Sequence, residues 1–337
     1  MQTSRTVRGS RRAAERVPAE LTVRPSDRSA GRTVGDVMVA WMEHNTPTWA
    51  PSSARDQTGR AELVKADQLA RVPLSWLTVA DVERWHARLR RAGLSDSGLK
   101  NRHQALRAAL TQVVRWGWLG SDPVSLARLR MAKRAPRGVM TTAEVQKVLA
   151  AAAELGADVE LALRLAALTG ARRSELAGLR WDDVVDGRLR IDSSVAVLRA
   201  KGTGPVRVDA PTKTANSRTV GLDQTTLAMI DALEAERRPF GEWMFAIGDG
   251  PAAPDRIGYW WSRARAASGI DKAWRLHDLR HFSASQAIAG GHDVRTVAGR
   301  LGHANPAMTL RVYAHVVQSA DNAVTDTLSA MLDGSDD

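Results

Sequence analysis

Only two tyrosines occur in this 337-residue chain, and the residue types before one of them, Tyr313, suit chemistry on a phosphodiester. His277 and Arg280 stand three residues apart in His-Asp-Leu-Arg-His, and His303 follows a Leu-Gly pair ten residues before the tyrosine. A phenol oxygen can attack phosphorus, while guanidinium and imidazole groups can bind the charge of the phosphate. This spacing predicts cleavage and rejoining of DNA rather than binding alone.

Two further motifs upstream contain residues that could serve the same site. In Thr-Gly-Ala-Arg-Arg-Ser-Glu-Leu, Gly170 permits a turn and Arg172 would begin the next helix, where its guanidinium and backbone N–H groups can bind one anion. Glu175, one helical turn later, could hold the arginine in place. Lys213 stands in Pro-Thr-Lys-Thr, at an expected turn between two strands.

Each candidate also has an ordinary structural alternative when it is taken singly. Arg172 and Glu175 could be a surface pair after a helix cap, and Lys213 a solvated lysine at a hairpin tip. A histidine such as His303 is more often a capping or core residue, and Tyr313 could be a packed aromatic. The other tyrosine, Tyr259, lies in Gly-Tyr-Trp-Trp without a histidine motif and is interpreted as a packing residue.

Helical periodicity begins at residue 34 and indicates an all-α unit over residues 34–127. Thr78 with Asp81 resembles a helix N-cap, and another helix is expected to start near Ser97. Apolar stripes predict the inward faces of three helices: Val34, Val37, Met38 and Trp41; Val82, Trp85 and Leu89; and Leu99, Leu106, Leu110 and Val113.

Basic side chains lie opposite two of these apolar stripes and continue into the segment that follows. They could lie along a DNA groove, although a solvated helix face is the alternative for either helix alone. The candidates for DNA contact are Arg84, Arg88, Arg91, Lys100, Arg107, Arg130, Lys133 and Arg134.

A basic linker over residues 128–138 is expected to join this unit to a second one over residues 139–320. Thr141 and Glu144 form a capping-box signature at the start of the second unit. Between Gly187 and Leu222 the apolar period changes to two, which predicts a small antiparallel sheet within a mainly helical, α+β domain.

The composition is that of a globular protein with a polyanionic partner. The net charge is +11, residues 1–33 hold eight arginines against three acids, and this segment is expected to be a flexible basic arm. The absence of cysteine excludes disulfides and fits a reducing cytoplasm. The sequence contains no apolar run of membrane-spanning length and no secretory signal, so no membrane association is expected.

Taken in order, these motifs resemble the tyrosine recombinase family of phage-type integrases over roughly residues 34 to 320. The resemblance rests on Arg172 and Glu175 in their octad, Leu-Arg-Trp-Asp-Asp, Pro-Thr-Lys-Thr, His-Asp-Leu-Arg-His, Leu-Gly-His and Tyr-Ala-His. It implies a core-binding domain and a catalytic domain that form a C-shaped clamp on duplex DNA. The short basic arm departs from relatives that have a full arm-binding domain.

The resemblance also implies a role for each site residue. Arg172, Arg280 and His303 would bind the scissile phosphate, and Tyr313 would form a 3′-phosphotyrosyl link. His277 is the expected proton acceptor for the phenol, whose pKa is ordinarily about 10. Lys213 would protonate the departing 5′ oxygen. No metal or other cofactor is expected.

The expected partners follow from the same resemblance: double-stranded DNA at attachment sites, a homotetramer on that DNA, and accessory proteins for bending or direction. Residues 321–337 are expected to form a C-terminal helix and an acidic tail, and the helix could pack on a neighbouring protomer or on its own domain. Three functions stay open at this point: an integrase of a mobile element, a chromosome or transposon resolvase, and a DNA-binding regulator without catalysis.

Overall fold

The computed structural model describes residues 31–132, 138–198, 206–211 and 217–302, together with residues 329, 331 and 332. The chain divides into two compact units between residues 135 and 136. The described residues are mostly helical with small antiparallel sheets, which confirms the predicted α+β class. Among them, no helix is long and apolar enough to cross a membrane.

The first unit is helical wherever it has regular secondary structure in the described residues. Three short 3-10 turns occur at Thr46–Thr48, Gln68–Arg71 and Leu74–Trp76. The α-helices are α1 (Val34–Asn45), α2 (Pro51–Lys65), α3 (Val79–Arg91), α4 (Asp96–Arg115) and α5 (Pro123–Leu126).

Local capping and one-sided hydrophobicity explain the predicted helices of this unit. Thr78 caps α3 and forms a reciprocal capping box with Asp81, as predicted. Helix α4 starts at Asp96, where the Ser95 hydroxyl accepts from the backbone of Gly98, close to the predicted start at Ser97. The predicted inward residues of α1, α3 and α4 are all buried in one hydrophobic core.

The second unit contains seven α-helices and seven short strands in its described residues. Two 3-10 turns, Trp181–Asp183 and Arg238–Phe240, accompany them. The helices are α6 (Thr142–Ala153), α7 (Ala157–Thr169), α8 (Arg173–Ala177), α9 (Gln224–Arg237), α10 (Pro254–Ser268), α11 (Leu276–Ala289) and α12 (Val294–Leu301). The strands are β1 (Val184–Val185), β2 (Arg188–Ile191), β3 (Ser193–Leu198), β4 (Val206–Pro211), β5 (Arg218–Gly221), β6 (Ala246–Ile247) and β7 (Gly250–Pro251).

The single small sheet predicted between residues 187 and 222 is wrong in one respect, because the strands form two separate sheets. Strands β1, β2 and β5 make one antiparallel sheet, and β3 pairs only with β4. A third antiparallel pair, β6 with β7, lies outside the predicted sheet region. The alternating pattern identified strands but carried no information on which strand pairs with which.

Helix α7 lies in the middle of the second core and carries the chain into the candidate site. Its residues Leu161, Leu163 and Leu165 are all fully buried, so most of the helix surface along that stretch packs against the core, and Arg164 between them is partly exposed. Helix α6 begins at a capping box between Thr141 and Glu144, as predicted. This packing fixes the C-terminal end of α7, where the turn to Arg172 begins.

Candidate active site

The turn between α7 and α8 places Arg172 at the start of a helix, as the sequence predicted. Gly170 ends α7 in the left-handed region, with φ of +64°. A Cβ atom built on this glycine would lie 2.4 Å from Cδ2 of Leu301, so a side chain has no room there. Arg172 is the N-cap residue of α8. Glycine is therefore required both by the backbone conformation and by the close approach of α12.

Glu175 binds Arg172 through two hydrogen bonds. The Arg172 Nη1 donates to Oε1 of Glu175 at 2.6 Å, and the backbone N–H of Arg172 donates to Oε2 at 2.9 Å. The Glu175 side chain is 2% exposed, whereas that of Arg172 is 34% exposed. The buried carboxylate thus binds Arg172 from the interior of the unit and leaves part of the arginine side chain accessible to solvent. This confirms the predicted contact between the two residues.

A second arginine, Arg218, binds the same carboxylate and was not a candidate in the sequence analysis. Its Nη2 donates to Oε2 of Glu175 at 2.6 Å, and its side chain is 6% exposed. Burial alone would raise the pKa of Glu175, but hydrogen bonds and positive charge from Arg218 and Arg172 hold this pKa below its usual value. Glu175 is therefore a charged carboxylate in a buried position.

Arg280 ties three elements of the site together from a buried position. It lies on α11, is 3% exposed, and donates to the carbonyl oxygens of Gly170 and Leu301, each at 2.6 Å. These bonds join α11 to the turn before Arg172 and to the end of α12. The guanidinium has five N–H donors in a planar fork, so these two bonds do not use its whole capacity.

His277 lies on the same helix, one turn before Arg280. The side chain keeps solvent contact over more than a third of its surface, and its ring meets that of His281 edge to face at 5.0 Å between centroids. Partial burial, with positive charge on His281 and Arg280, lowers the pKa of His277 to about 4. The imidazole is therefore neutral near pH 7.

A cavity of about 280 Å³ lies where these elements meet. Arg172 contributes a partly exposed guanidinium and His277 an accessible imidazole, so the cavity offers donors to an anion. The lining residues are Ala171, Arg172, Arg173, Ser174, Leu276 and His277. Among the described residues, no group of three or more histidine, aspartate or glutamate side chains could hold a metal ion.

The structure brings four of the seven predicted site residues together: Arg172, Glu175, His277 and Arg280. Lys213, His303 and Tyr313 lie outside the described residues, so their positions stay predictions. The described chain ends next to two of them, at Pro211 in β4 and at Gly302 after α12.

The interpretation of Tyr259 as a packing residue is wrong. On α10 the buried side chains include Ile257, Trp260 and Trp261, and Tyr259 points away from them with 49% exposure. Its hydroxyl accepts a hydrogen bond from Nη1 of Arg263 at 3.0 Å. The helical period explains the error, because a residue two positions after Ile257 falls on the opposite side of the helix.

The first unit presents most of the predicted DNA-contact residues to solvent. Arg84, Arg91, Lys100, Arg107 and Arg130 are exposed. Lys133 and Arg134 lie outside the described residues.

Arg88 differs from these residues because it is only part-exposed and has an intramolecular partner. Its guanidinium makes an ion pair with Asp67, which caps the 3-10 turn Gln68–Arg71. Arg84 pairs with Asp81 within its own helix, but its side chain remains 72% exposed. Arg88 is therefore the weakest candidate for DNA contact among the described basic residues.

The fold and the site together define a basic protein of two compact units, with a cavity in the second unit that Arg172 and His277 line. The phage integrase family model matches residues 138–319, more than half of the chain. The tyrosine recombinase XerD of Bifidobacterium longum is 33% identical over 262 residues, which cover 71% of this chain and 78% of that protein.

Two solved structures share the fold. The Tn1549 transposon integrase in complex with transposon right end DNA has a TM-score of 0.77 at 19% identity, over 88% of this chain and 100% of that chain. A lambda integrase tetramer bound to a Holliday junction has a TM-score of 0.64 at 19% identity, over 89% of this chain and 84% of that chain. This chain belongs to the phage integrase family, and it is a tyrosine recombinase, a site-specific enzyme that cleaves and rejoins DNA.

Proposed function

We propose that this recombinase is an integrase that joins or excises a mobile element at two specific sites in double-stranded DNA. The observation that carries the proposal is the cavity at which Arg172, held by Glu175, meets His277 and the turn bound by Arg280. This arrangement supports binding of one phosphodiester with fixed positive charge on one side and a neutral proton acceptor on the other.

In the proposed reaction, the phenol oxygen of Tyr313 forms a bond to phosphorus and the bond to the 5′ oxygen breaks. Arg172 and Arg280, with His303 as a third donor, stabilise the charge on the non-bridging oxygens. The products are a 3′-phosphotyrosyl link and a free 5′-hydroxyl. A 5′-hydroxyl from another strand then reverses the chemistry, so the phosphoester is conserved and no ATP is consumed.

Two residues are proposed to move protons in this reaction. His277 accepts the phenol proton, because its imidazole is neutral near pH 7 and lies beside Arg172 at the cavity. Lys213 donates a proton to the departing 5′ oxygen. The assignment of Lys213 rests on the family resemblance alone.

The first unit is proposed to be the core-binding domain, over residues 34–127, followed by the basic linker at residues 128–138. The exposed cations of α3 and α4, with Arg130, support contact with the phosphate backbone. Lys133 and Arg134 are proposed to extend this contact. Residues 139–320 are proposed to form the catalytic domain, and residues 1–33 an additional basic arm.

The assembly is proposed to be a homotetramer on two DNA sites, with residues 321–337 as the C-terminal helix and tail. Accessory proteins that bend the DNA or set the direction are proposed as further partners, and the reaction is placed in the bacterial cytoplasm on nucleoid DNA. The support is indirect, from a lambda integrase solved as a tetramer on a Holliday junction and from bacterial relatives.

Covalent trapping tests the proposal. The full chain is incubated with fragmented genomic DNA from its source. Dodecyl sulfate is then added and precipitated with potassium, which brings down the protein together with any covalently linked DNA. The ends of the trapped DNA are sequenced. We expect wild type and Tyr259→Phe to trap the same DNA ends, and Tyr313→Phe to bind DNA but trap nothing. Trapping by Tyr313→Phe, or no adduct from wild type, would contradict the proposal.

A resolvase of chromosomes or transposons is the second candidate, and the similarity to a XerD recombinase favours it. The trapped ends separate the two functions. Ends at the junction of a mobile element and its target support the integrase. Ends at one chromosomal locus without an element support the resolvase.

A further inference from the structure

Arg218 occupies a position in the fold where a charged side chain is uncommon. It is the first residue of β5 and pairs with Ile191 of β2. Side chains alternate along a strand, so Arg218 shares the inward face with Val220, and the two are 8% and 2% exposed. Thr219 between them is exposed. The guanidinium is therefore built into the interior of the second unit.

The buried guanidinium reaches the site through a single carboxylate. Arg218 donates from Nη2 to Oε2 of Glu175 at 2.6 Å, and Oε2 also accepts the backbone N–H of Arg172. The other oxygen, Oε1, accepts from Nη1 of Arg172. The two guanidinium groups thus bind different oxygens of one carboxylate. Arg218 is not among the residues that line the cavity beside Arg172 and His277.

Arg218 also packs against the backbone at the end of α12. Gly302, the left-handed cap of that helix, would place a Cβ 3.0 Å from Nη1 and 3.2 Å from Cδ of Arg218. Arg280 binds the carbonyl of Leu301, the preceding residue. Two arginines therefore lie against the Leu301–Gly302 segment, directly before His303 in the sequence.

We propose that Arg218 is a positioning residue for DNA cleavage, which acts through Glu175 to fix the guanidinium of Arg172 towards the scissile phosphate. This inference rests on the proposed function, because it assigns Arg172 to that phosphate. Without Arg218, Oε2 of Glu175 loses the side-chain donor that the described part of the chain provides, and the carboxylate can rotate towards Arg172 or solvent. The Arg172 fork then loses its fixed orientation, on which its stabilisation of the transition state depends.

Single-turnover cleavage by the full chain, on a nicked substrate made from the trapped DNA site, tests this role. We expect Arg218→Met to lower the cleavage rate at saturating DNA by about 100-fold, with DNA affinity unchanged. Arg218→Lys keeps a positive charge beside Glu175 and should recover part of this loss. Arg190→Met is the matched control, since Arg190 lies on the same sheet but pairs with Asp183 and Asp192. We expect it to cleave at the wild-type rate.

A double-mutant cycle distinguishes positioning from general support of the fold. If Arg218 acts through Arg172, Arg218→Met should cost little further rate in an Arg172→Ala background. A neutral methylphosphonate at the scissile position should likewise reduce the cost of Arg218→Met, because the charge that Arg172 stabilises is gone. If the rate losses of Arg218→Met and Arg172→Ala simply multiply in the double variant, the proposal is overturned. It is also overturned if Arg218→Met loses the same rate on the phosphodiester and on the methylphosphonate substrate.

The remaining outcomes are also decisive. Wild-type cleavage by Arg218→Met overturns the positioning role and leaves the proposed function intact. No cleavage by the wild-type chain overturns the proposed function, and this inference with it. If Arg218→Met does not fold, Arg218→Lys replaces it in the double-mutant cycle. A loss of cleavage rate that disappears in the Arg172→Ala background supports the positioning role, and a wild-type cleavage rate overturns it.

Discussion

His277 is a histidine whose environment removes the charge that histidine often carries at mildly acid pH. Its pKa is lowered to about 4 by partial burial and by the positive charge of His281 and Arg280. A neutral imidazole can accept the proton of a phenol, whereas an imidazolium cannot. The depressed pKa therefore keeps His277 in its accepting form well below pH 7.

The pH dependence of cleavage tests this state of His277. At subsaturating DNA, where the rate reports the free enzyme, we expect no acid limb near the ordinary histidine pKa of about 6.5. At saturating DNA the negative charge of the bound phosphate should raise the pKa of His277. The acid limb of the cleavage rate should therefore move to higher pH. His277→Gln should abolish that limb and His292→Gln should keep it. A limb near pH 6.5 at subsaturating DNA that persists in His277→Gln would contradict this assignment.

At the scale of elements, the site depends on how closely α12 approaches the turn after α7. Gly170 and Gly269 both end helices in the left-handed region, with φ of +64° and +69°. A Cβ on Gly170 meets Leu301, whereas a Cβ on Gly269 meets nothing within 4 Å. The two glycines thus share a backbone conformation and differ in their surroundings.

Alanine at these two positions separates the two effects. We expect Gly269→Ala to cost about 1–2 kcal/mol in free energy of unfolding, from backbone conformation alone. Gly170→Ala should cost about 1–3 kcal/mol more, because Leu301 must move, and should slow cleavage by shifting the carbonyl that binds Arg280. Denaturant unfolding and single-turnover cleavage measure both. Equal costs for the two variants would show that the contact with Leu301 carries no energy.

The first unit contains a buried histidine pair that should make it sensitive to acid. His86 Nε2 lies 3.2 Å from Nδ1 of His103, and the two residues are 1% and 7% exposed. Burial lowers the pKa of His86 to about 4, and positive charge on His103 and Arg90 acts in the same direction. The unfolded chain then binds more protons below pH 6.5, so stability is present above that pH and is lost as pH falls towards 4.

Hydrogen exchange at two pH values measures this loss in the full chain. Between pH 7 and pH 5 we expect the opening free energy of α3 and α4 to fall by about 2 kcal/mol. His86→Leu should flatten the dependence, and His44→Leu should leave it unchanged. A pH-independent opening free energy in wild type would contradict the buried neutral pair.

Contacts between residues within one helical turn of each other could be predicted from the sequence. The capping boxes at Thr78 and Thr141 and the contact of Arg172 with Glu175 are of this kind. Helix α2 was not predicted, because its buried apolar residues, Ala61 and Val64, both lie near its end.

Contacts between residues far apart in the chain could not be predicted from the sequence at this site. The motif order placed Arg280 in the site, but its bonds to Gly170 and Leu301 depend on how three helices pack. Arg218 carried one usable signal, because alternation with Val220 puts it on the inward face of β5. Its partner, Glu175, is 43 residues away and could not be read from a periodic pattern.

At the scale of the whole molecule, the net charge of +11 and the exposed cations of α3 and α4 fit an enzyme whose substrate is a polyanion. Charge explains attraction to DNA but not cleavage. Cleavage requires one nucleophile that becomes covalently linked to DNA, and we propose that this nucleophile is Tyr313. The chain offers a clean test, because Tyr259 is its only other tyrosine.

Mass mapping of the covalent adduct tests this central claim most directly. After nuclease digestion, trypsin cleavage after Arg311 leaves Tyr313 in the peptide of residues 312–337, while Tyr259 falls in residues 257–263. We predict a residual nucleotide mass on the first peptide and an unmodified second peptide. A nucleotide on residues 257–263, or on a residue other than Tyr313, would contradict the account.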